Sequence, residues 1–333
     1  MSNAQRSSVT WPRVARNVRR IVTRGGLRAA GQYTRGMAAR ETLTLPEVRA
    51  MRIMLERYMT RPAMAADRST RVEQVRAAFD NDQVRGEWVE RPGVGPRSEA
   101  VILYIHGGGF VAGSPLSHRG LTSEISARTG RPVFSVDYRR APEYPYPAAA
   151  DDALRAYKWL LASGLDASQI VVAGDSAGGH LTLGLPPRAK RAGLPTPAGV
   201  VALSPVVDPK MALSRRWVRD HDADLPDYFT DAGRTLMAAH WRNVSAEHRE
   251  MLLTNDDLTV MPPVLVQASD NELLAGDAEH YVERLNAVGG KGRLHLYHNK
   301  FHVFQVSHRV SKNASQALDE IAAFVDEVSP KGR

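Results

Sequence analysis

The sequence predicts an α/β fold: a mostly parallel sheet of about eight strands, with helices on both faces of the sheet and a helical cap. Short runs rich in Val, Ile and Leu alternate with helical stretches from about residue 71 onwards, which is the arrangement of a sheet covered on both sides. The runs are apolar throughout instead of alternating with polar residues. Such runs indicate strands that are buried on both faces.

The clearest runs predict the central strands. They cover residues 100–105, 132–136, 170–173, 199–203, 263–268 and 293–297, and weaker runs lie near 71–76 and 84–91. The interval 207–250 breaks the alternation with Arg, Asp, Trp and Pro. We expect this interval to leave the sheet and to form part of a cap above it.

The chain of 333 residues suits one large core with a small appendage. We expect a basic N-terminal arm with cap helices over residues 1–62, and a main α/β domain over residues 63–333 that contains a cap insertion at 207–250. Apolar residues at helical spacing over 14–22 predict a short basic amphipathic helix packed on the body. Pro46 opens a second helix, whose core-facing side chains we expect to be Val48, Met51, Leu55 and Tyr58.

The net charge of +8 belongs to the arm, because residues 1–40 contain nine Arg, no Lys and no acidic residue. The rest of the chain is close to neutral, so no nucleic-acid partner is expected, whereas the arm suits weak contact with an anionic membrane surface. The sequence shows no signal-peptide core and no run long enough to span a bilayer, which predicts a soluble, cytoplasmic protein. A homodimer is compatible with the sequence. The absence of Cys excludes disulfides and Cys-based metal sites.

The sequence Gly-Asp-Ser-Ala-Gly at 174–178 follows a predicted strand and precedes a predicted helix. This is the context of a nucleophile elbow, a sharp strand-to-helix turn that exposes the serine at the sheet edge. The flanking Gly174 and Gly178 remove side chains that would block such a turn. The sequence therefore predicts Ser176 as a nucleophile.

A second motif, His106-Gly107-Gly108-Gly109-Phe110, follows the buried strand that ends at residue 105. Three consecutive glycines destabilise regular structure, so they need a reason. We expect an oxyanion hole, in which the N–H groups of Gly108 and Gly109, joined by that of Ala177, bind a negatively charged substrate oxygen.

A serine hydroxyl needs a base to remove its proton and a carboxylate to orient that base. His302 lies just beyond the last predicted strand, where its side chain can return over the sheet edge to Ser176. The acid should follow the penultimate strand, where both Asp270 and Glu272 stand. Residue chemistry alone leaves these two open, and Asp277 is interpreted as an exposed charge or a helix cap.

These residues resemble the hormone-sensitive-lipase-like branch of the α/β-hydrolase esterases and lipases. The resemblance covers about residues 70–325. It rests on HGGGF at 106–110, DYRRAPEYPYPAA at 137–149, GDSAGG at 174–179, LSPVVD at 203–208 and HVF at 302–304. By this resemblance Ser176 is the nucleophile and His302 the base. The family's acid occurs either in an Asp-Pro-Leu form or in an Asp-Glu-x-Leu-like form that uses Glu. Matching Asp277, Tyr281 and Leu285 to the family's following helix implies Glu272 as the acid, with Asp270 as the alternative. Two departures are Arg140, where the family commonly has an aliphatic residue, and Pro186-Pro187, which predict that the helix after Ser176 ends or kinks near Leu185.

The resemblance implies an α/β-hydrolase fold and a serine carboxylesterase for short- to medium-chain esters, which acts on a small-molecule ester through an acyl-enzyme on Ser176. No metal or organic cofactor is required for this chemistry. Hydrolysis of amides or lactones by the same three residues stays open as an alternative. A non-catalytic ligand-binding protein on the same fold is the other alternative.

Overall fold

The computed structural model describes residue 36 and residues 41–221, 228–245 and 247–330, with the side chains of 228–230 excepted. The helix predicted over 14–22 lies outside the described residues. Within them, eight strands form one sheet in the order β1-β2-β4-β3-β5-β6-β7-β8. The strands are β1 (Arg71–Phe79), β2 (Asp82–Glu90), β3 (Val101–Ile105), β4 (Val133–Val136), β5 (Ile170–Asp175), β6 (Gly199–Leu203), β7 (Val264–Ser269) and β8 (Gly292–Tyr297).

The sheet is mostly parallel, as predicted. β1 pairs with β2 and β2 with β4 in antiparallel fashion, whereas β3, β4, β5, β6, β7 and β8 pair in parallel. Because the carboxyl ends of parallel strands meet at one edge, the loops after β3, β5, β7 and β8 all emerge there. This shared edge positions the predicted site residues.

The described helices cover both faces of the sheet. They are α1 (Leu45–Met59), α2 (Pro115–Thr129), α3 (Ala148–Ala162), α4 (Ser176–Arg191), α5 (Ala212–Asp220), α6 (Tyr228–Trp241), α7 (Ala275–Ala287) and α8 (Lys312–Val328). Residues along β3 alternate between two cores, because Leu103 packs with Phe134 on one face and Tyr104 packs with Leu121 on the other. Burial on both faces explains why the strand is apolar throughout. None of the described helices is long and apolar enough to cross a membrane.

The helix after Ser176 corrects one prediction, because α4 does not end near Leu185 but continues to Arg191 with Pro186 and Pro187 inside it. A proline within a helix removes a backbone hydrogen bond and crowds the preceding turn. Here both prolines are buried, and α4 packs against β5, β6 and α3. Tertiary packing therefore outweighs the local cost of the two prolines.

Both parts of the chain that were expected to contribute to a cap contain helices. α1 begins with a capping box at Thr44 and Glu47 and carries proline in its first turn, as Pro46 predicted. Val48 is buried, whereas Met51, Leu55 and Tyr58 are half-buried. α5 and α6 lie within the interval 207–250 that was expected to leave the sheet.

Candidate active site

The nucleophile elbow has the geometry that its sequence predicts. Ser176 follows the last residue of β5, opens α4 and has φ +54°, a left-handed conformation that is uncommon for a residue with a side chain. Gly178 lies against the loop after β3, where an added Cβ would be 2.0 Å from the Ile105 carbonyl oxygen. Glycine is therefore required at 178 for the helix to approach the neighbouring strand.

Three side chains from separate loops meet at this elbow. The Ser176 Oγ lies 2.9 Å from Nε2 of His302, and Nδ1 of His302 lies 2.7 Å from Oε2 of Glu272. Because an ionised carboxylate only accepts hydrogen bonds, Nδ1–H donates to Glu272 and Nε2 is left to accept from the serine hydroxyl. The predicted nucleophile, acid and base are thus brought together in one hydrogen-bonded chain.

Glu272 is held by two further donors that leave one oxygen for the histidine. Its Oε1 accepts from the Ser269 N–H and from the Ser204 hydroxyl, each at 2.8 Å. The same Ser204 Oγ accepts from the N–H of Val303 at 3.2 Å. Ser204 therefore connects Glu272 with the loop that carries His302, a contact that sequence reasoning missed although Ser204 lies in the quoted LSPVVD segment.

The electrostatics of His302 follow from its unequal surroundings. The side chain of Glu272 is 1% exposed and that of His302 is 44% exposed, so the imidazole is accessible to solvent while the carboxylate is shielded from water. Desolvation lowers the pKa of His302, but the hydrogen bond and the charge of Glu272 outweigh it, and the pKa lies above its ordinary value. The carboxylate thus favours the protonated form of the imidazole.

Asp270, the alternative acid, points elsewhere. Its Oδ2 lies 2.7 Å from Nδ1 of His298, and its Oδ1 accepts from the N–H of Asn299 at 2.7 Å. The structure therefore brings Glu272, and not Asp270, against His302.

Asp277 corrects another interpretation, because it is neither exposed nor a helix cap. It is fully buried in α7, where Oδ1 accepts from the N–H groups of Val207 and Asp208 at 2.7 and 2.8 Å, and Oδ2 accepts from the Ser214 hydroxyl at 3.0 Å. Burial raises the pKa of Asp277 to about 7, although these donors oppose the rise. Its role in the fold is to hold the segment that follows β6.

The glycine loop after β3 borders the nucleophile. Gly108 has φ +120°, and a Cβ there would lie 2.3 Å from the Ala112 carbonyl oxygen, so only glycine fits. The N–H of Gly107 is engaged, because it donates to Oδ1 of Asp175 at 3.0 Å. No acceptor among the described residues takes the N–H of Gly108 or Gly109, and both glycines line the same cavity as Ser176.

A buried polar network beneath the elbow was missed by sequence reasoning. Asp175 accepts from the Tyr104 hydroxyl at 2.6 Å, and its Oδ2 lies 3.3 Å from Nε2 of His118. Burial raises the pKa of Asp175, but the charge and hydrogen bond of His118 outweigh it, so the pKa lies below its ordinary value. An Asp at the end of a buried strand was the available signal, because a buried carboxylate needs partners.

His106, the first residue of the glycine motif, faces away from the nucleophile. Its ring is fully buried and stacks on Tyr138 with centroids 4.2 Å apart. Its Nδ1 lies 2.8 Å from the carbonyl oxygen of Gly107, and burial brings the pKa of His106 well below its ordinary value. His106 therefore shapes the glycine loop as a neutral side chain.

A cavity of about 330 Å³ opens above Ser176 and is largely apolar. Its walls come from α1, the glycine loop, α6 and the loop around His302: Met51, Leu55, Tyr58, Met59, Gly108, Gly109, Ala112, His118, Asp175, Ser176, Leu236, Phe301, His302, Val303 and Val306. The half-buried Met51, Leu55 and Tyr58 of α1 thus pack against the core, as predicted, and also line the cavity. No cluster of three or more His, Asp or Glu side chains in the described residues is arranged to hold a metal ion.

Arg52 holds α1 beside this cavity through hydrogen bonds and an ion pair. Its Nε donates to the Val111 carbonyl at 2.6 Å, Nη2 donates to the Ala141 carbonyl at 3.0 Å, and the guanidinium forms a two-point ion pair with Glu143 at 2.9 and 2.7 Å. Val111 belongs to the turn that follows the glycine motif. Arg52 therefore joins α1 to the loop that borders Ser176.

Comparisons with known proteins agree with this architecture. The profile of the alpha/beta hydrolase fold family matches residues 102–306. An acetyl-hydrolase of Streptomyces hygroscopicus is 31% identical over 302 residues, which cover 86% of this chain and 98% of the relative. A solved esterase of the bacterial hormone-sensitive lipase family superposes with a TM-score of 0.77 at 30% identity, covering 89% of this chain and 95% of that chain. The esterase EstE5, in crystals soaked with p-nitrophenyl butyrate, superposes with a TM-score of 0.75 at 30% identity over 89% of this chain and 96% of its own.

The fold and the site define a class: an α/β-hydrolase-fold protein with Ser, His and Glu in one hydrogen-bonded chain at the carboxyl edge of the sheet. Within that class, the chain belongs to the hormone-sensitive-lipase-like family of α/β-hydrolase esterases.

Proposed function

We propose that this protein is a serine carboxylesterase that hydrolyses short- to medium-chain esters through an acyl-enzyme on Ser176. It is a carboxylic ester hydrolase, the class of its named relatives. The observation that carries the proposal is the position of His302, with one ring nitrogen 2.9 Å from the Ser176 Oγ and the other 2.7 Å from Glu272. This arrangement activates a hydroxyl that would otherwise be a weak nucleophile.

In the first half-reaction, Ser176 Oγ attacks the ester carbonyl carbon while Nε2 of His302 takes the hydroxyl proton. Glu272 stabilises the resulting imidazolium through Nδ1–H. The tetrahedral intermediate collapses when the bond to the alcohol oxygen breaks, and His302 returns the proton to that oxygen. The alcohol leaves, and the acyl group stays on Ser176.

In the second half-reaction, water takes the place of the alcohol. His302 removes a proton from the water as it attacks the acyl carbon, and the same proton then goes to Ser176 Oγ when the acyl–serine bond breaks. The carboxylic acid is released, and the resting hydrogen bonds are restored.

The developing oxyanion would be bound by the N–H groups of Gly108, Gly109 and Ala177. The free N–H groups of the two glycines and their place in the cavity wall beside Ser176 support this assignment. Loss of one such donor typically costs about 10²- to 10³-fold in kcat.

The dimensions of the cavity support an acyl group of limited size. Leu236 on α6 lies so close to Gly109 that a Cβ on the glycine would be 2.5 Å from the Leu236 Cγ. The cavity above Ser176 is about 330 Å³, near the lower end of the range for small-molecule sites. This supports short to medium acyl chains, in line with the acetyl-hydrolase relative and the butyrate ester used with EstE5.

A fluorophosphonate probe tests nucleophile activation and location together, because it labels only activated serines. We expect one labelled peptide that contains Ser176, no label on Ser176→Ala, and loss of p-nitrophenyl butyrate hydrolysis in that variant without loss of folding. Label on another serine, or full turnover by Ser176→Ala, would contradict the assignment. Matched ester and anilide substrates in the same assay distinguish an esterase from an amidase.

A further inference from the structure

The outer face of α1 combines exposed apolar and basic side chains. We define this face by Leu45, Arg49, Ile53, Met54, Arg57 and Arg61, where Arg61 follows the last turn. Leu45, Ile53 and Met54 are 48%, 52% and 65% exposed, although burial is the usual state of such side chains. The three arginines are exposed beside them. The α1 face therefore presents both apolar and basic side chains to solvent, as helices that lie on lipid surfaces do.

This face borders the entrance to the catalytic cavity. Met54, Arg57 and Arg61 line a shallow apolar groove of about 480 Å³, and the groove shares Met51, Leu55 and Tyr58 with the cavity above Ser176. A molecule bound along the outer face of α1 would thus lie next to the route to the nucleophile.

The outer face as defined carries three arginines and no carboxylate, and the acidic residues of α1 hydrogen-bond to neighbouring groups. Glu47 accepts from the N–H and hydroxyl of Thr44, and Glu56 accepts from the Ser114 hydroxyl at 3.3 Å. Among the described residues, no ion pair engages Arg49, Arg57 or Arg61. The face therefore presents three cations to solvent.

The positive charge of the α1 face indicates which partner could cover it, the N-terminal arm or an anionic surface. Residues 1–40 end four residues before α1 and carry nine Arg without an acidic residue, so like-charge repulsion disfavours this arm as the partner of the face. An anionic surface, by contrast, attracts the arm and the face together. Phosphate groups match the arginines, and the acyl region of a bilayer matches the apolar side chains.

We propose that the outer face of α1 docks on an anionic phospholipid surface and places the catalytic cavity next to the lipid. The arginines contact the headgroup phosphates, Ile53 and Met54 insert at the headgroup–acyl boundary, and the arm adds long-range attraction. This docking is independent of the hydrolytic chemistry and can be measured without any substrate.

Co-sedimentation of the full-length protein with vesicles tests the proposal. We expect retention on phosphatidylcholine vesicles containing phosphatidylglycerol, weakened by salt, and little retention on phosphatidylcholine alone. Arg57→Glu/Arg61→Glu should lower the affinity by roughly thirty-fold or more, at about 1 kcal/mol per basic residue at the surface. Ile53→Ser/Met54→Ser, which keeps the charge, should lower it by about ten-fold.

The matched control is Arg76→Glu/Arg219→Glu, which makes the same charge change at exposed positions on β1 and α5. Thermal unfolding shows whether each variant is folded. Equal loss of binding in the control and the α1 variant would overturn the proposal, as would equal binding to neutral vesicles. Duplex DNA is the third ligand to be tested. If Ile53→Ser/Met54→Ser binds vesicles as the wild type does, and DNA is retained as strongly as vesicles, the face is a general polyanion site. That result would overturn lipid docking.

Discussion

The hydroxyl of Ser204 donates to Oε1 of Glu272 at 2.8 Å in a site where both side chains are buried. The Ser204 Oγ in turn accepts from the N–H of Val303, the neighbour of His302. One side chain on the loop after β6 thus holds both the acid and the segment that carries the base. Its influence on catalysis would act entirely through their alignment.

Ser204→Ala should lower kcat by about ten- to a hundred-fold with little change in KM, because a hydrogen bond to a charged group contributes about 1.5–3 kcal/mol. Steady-state kinetics with p-nitrophenyl butyrate measure both kcat and KM. Ser135→Ala is the control, since Ser135 is equally buried and its hydroxyl has no partner in the described part of the chain. A wild-type kcat in Ser204→Ala would show that the other contacts of Glu272 suffice.

Glu272→Gln should lower kcat by about 10⁴-fold, because the amide leaves His302 without a charged acceptor at Nδ1. Asp270→Asn should stay within a few-fold of the wild type, since Asp270 contacts His298 and Asn299. The comparison uses the same ester at saturating concentration. The opposite ranking of the two variants would move the acid role to Asp270.

The acid limb of the kcat/KM profile should report His302. Only its neutral form accepts the serine proton, and its pKa is raised above the ordinary value, so activity should rise with pH through a midpoint above about 6.5. Glu272→Gln should move that midpoint to lower pH, because the charge that favours the imidazolium is gone. An unchanged midpoint in this variant would show that the acid limb of the profile does not report the His302–Glu272 pair.

Leu236→Ala should shift chain-length preference toward longer acyl groups, because Leu236 lies against Gly109 in the cavity wall. Each additional methylene that the enlarged cavity buries can contribute up to about 0.8 kcal/mol, roughly four-fold in kcat/KM. A series of p-nitrophenyl esters from acetate to decanoate measures the shift. Leu296→Ala, at an exposed position on β8, is the control. An unchanged optimal chain length in Leu236→Ala would show that the acyl group does not contact Leu236.

Asp277→Asn should make stability less dependent on pH. The folded-state pKa of Asp277 is raised from 3.8 to about 7, so its contribution is fully present below about pH 4 and is lost as pH rises through 7. The asparagine keeps an acceptor for Val207 and Asp208 and does not ionise. Urea unfolding between pH 4 and 9 should therefore show the variant gaining on the wild type as pH rises, and parallel curves would contradict the raised pKa.

The local sequence was sufficient to predict those parts of the site that depend on backbone conformation. Ser176 and the glycine loop could be predicted because a strand-to-helix elbow and close backbone approach restrict the residues that fit, as Gly178 and Gly108 illustrate. It was insufficient for Asp277, whose burial depends on a segment that packs against it from elsewhere in the chain. The course of α4 through Pro186 and Pro187 likewise depends on its packing partners.

The sequence by itself determined the fold class, the elbow at Ser176 and the position of His302 after the last strand, because these follow from the order of buried runs and from short-range turn geometry. Residue chemistry left Glu272 and Asp270 open and the family resemblance favoured Glu272, but only the tertiary structure shows Glu272 against His302. It alone revealed Ser204 and the network around Asp175. Ser204 and Glu272 are 68 residues apart, and Tyr104 and Asp175 are 71 apart. Their contacts arise from neighbouring strands in the sheet, and the order of strands is a property of the packed protein that no local pattern contains.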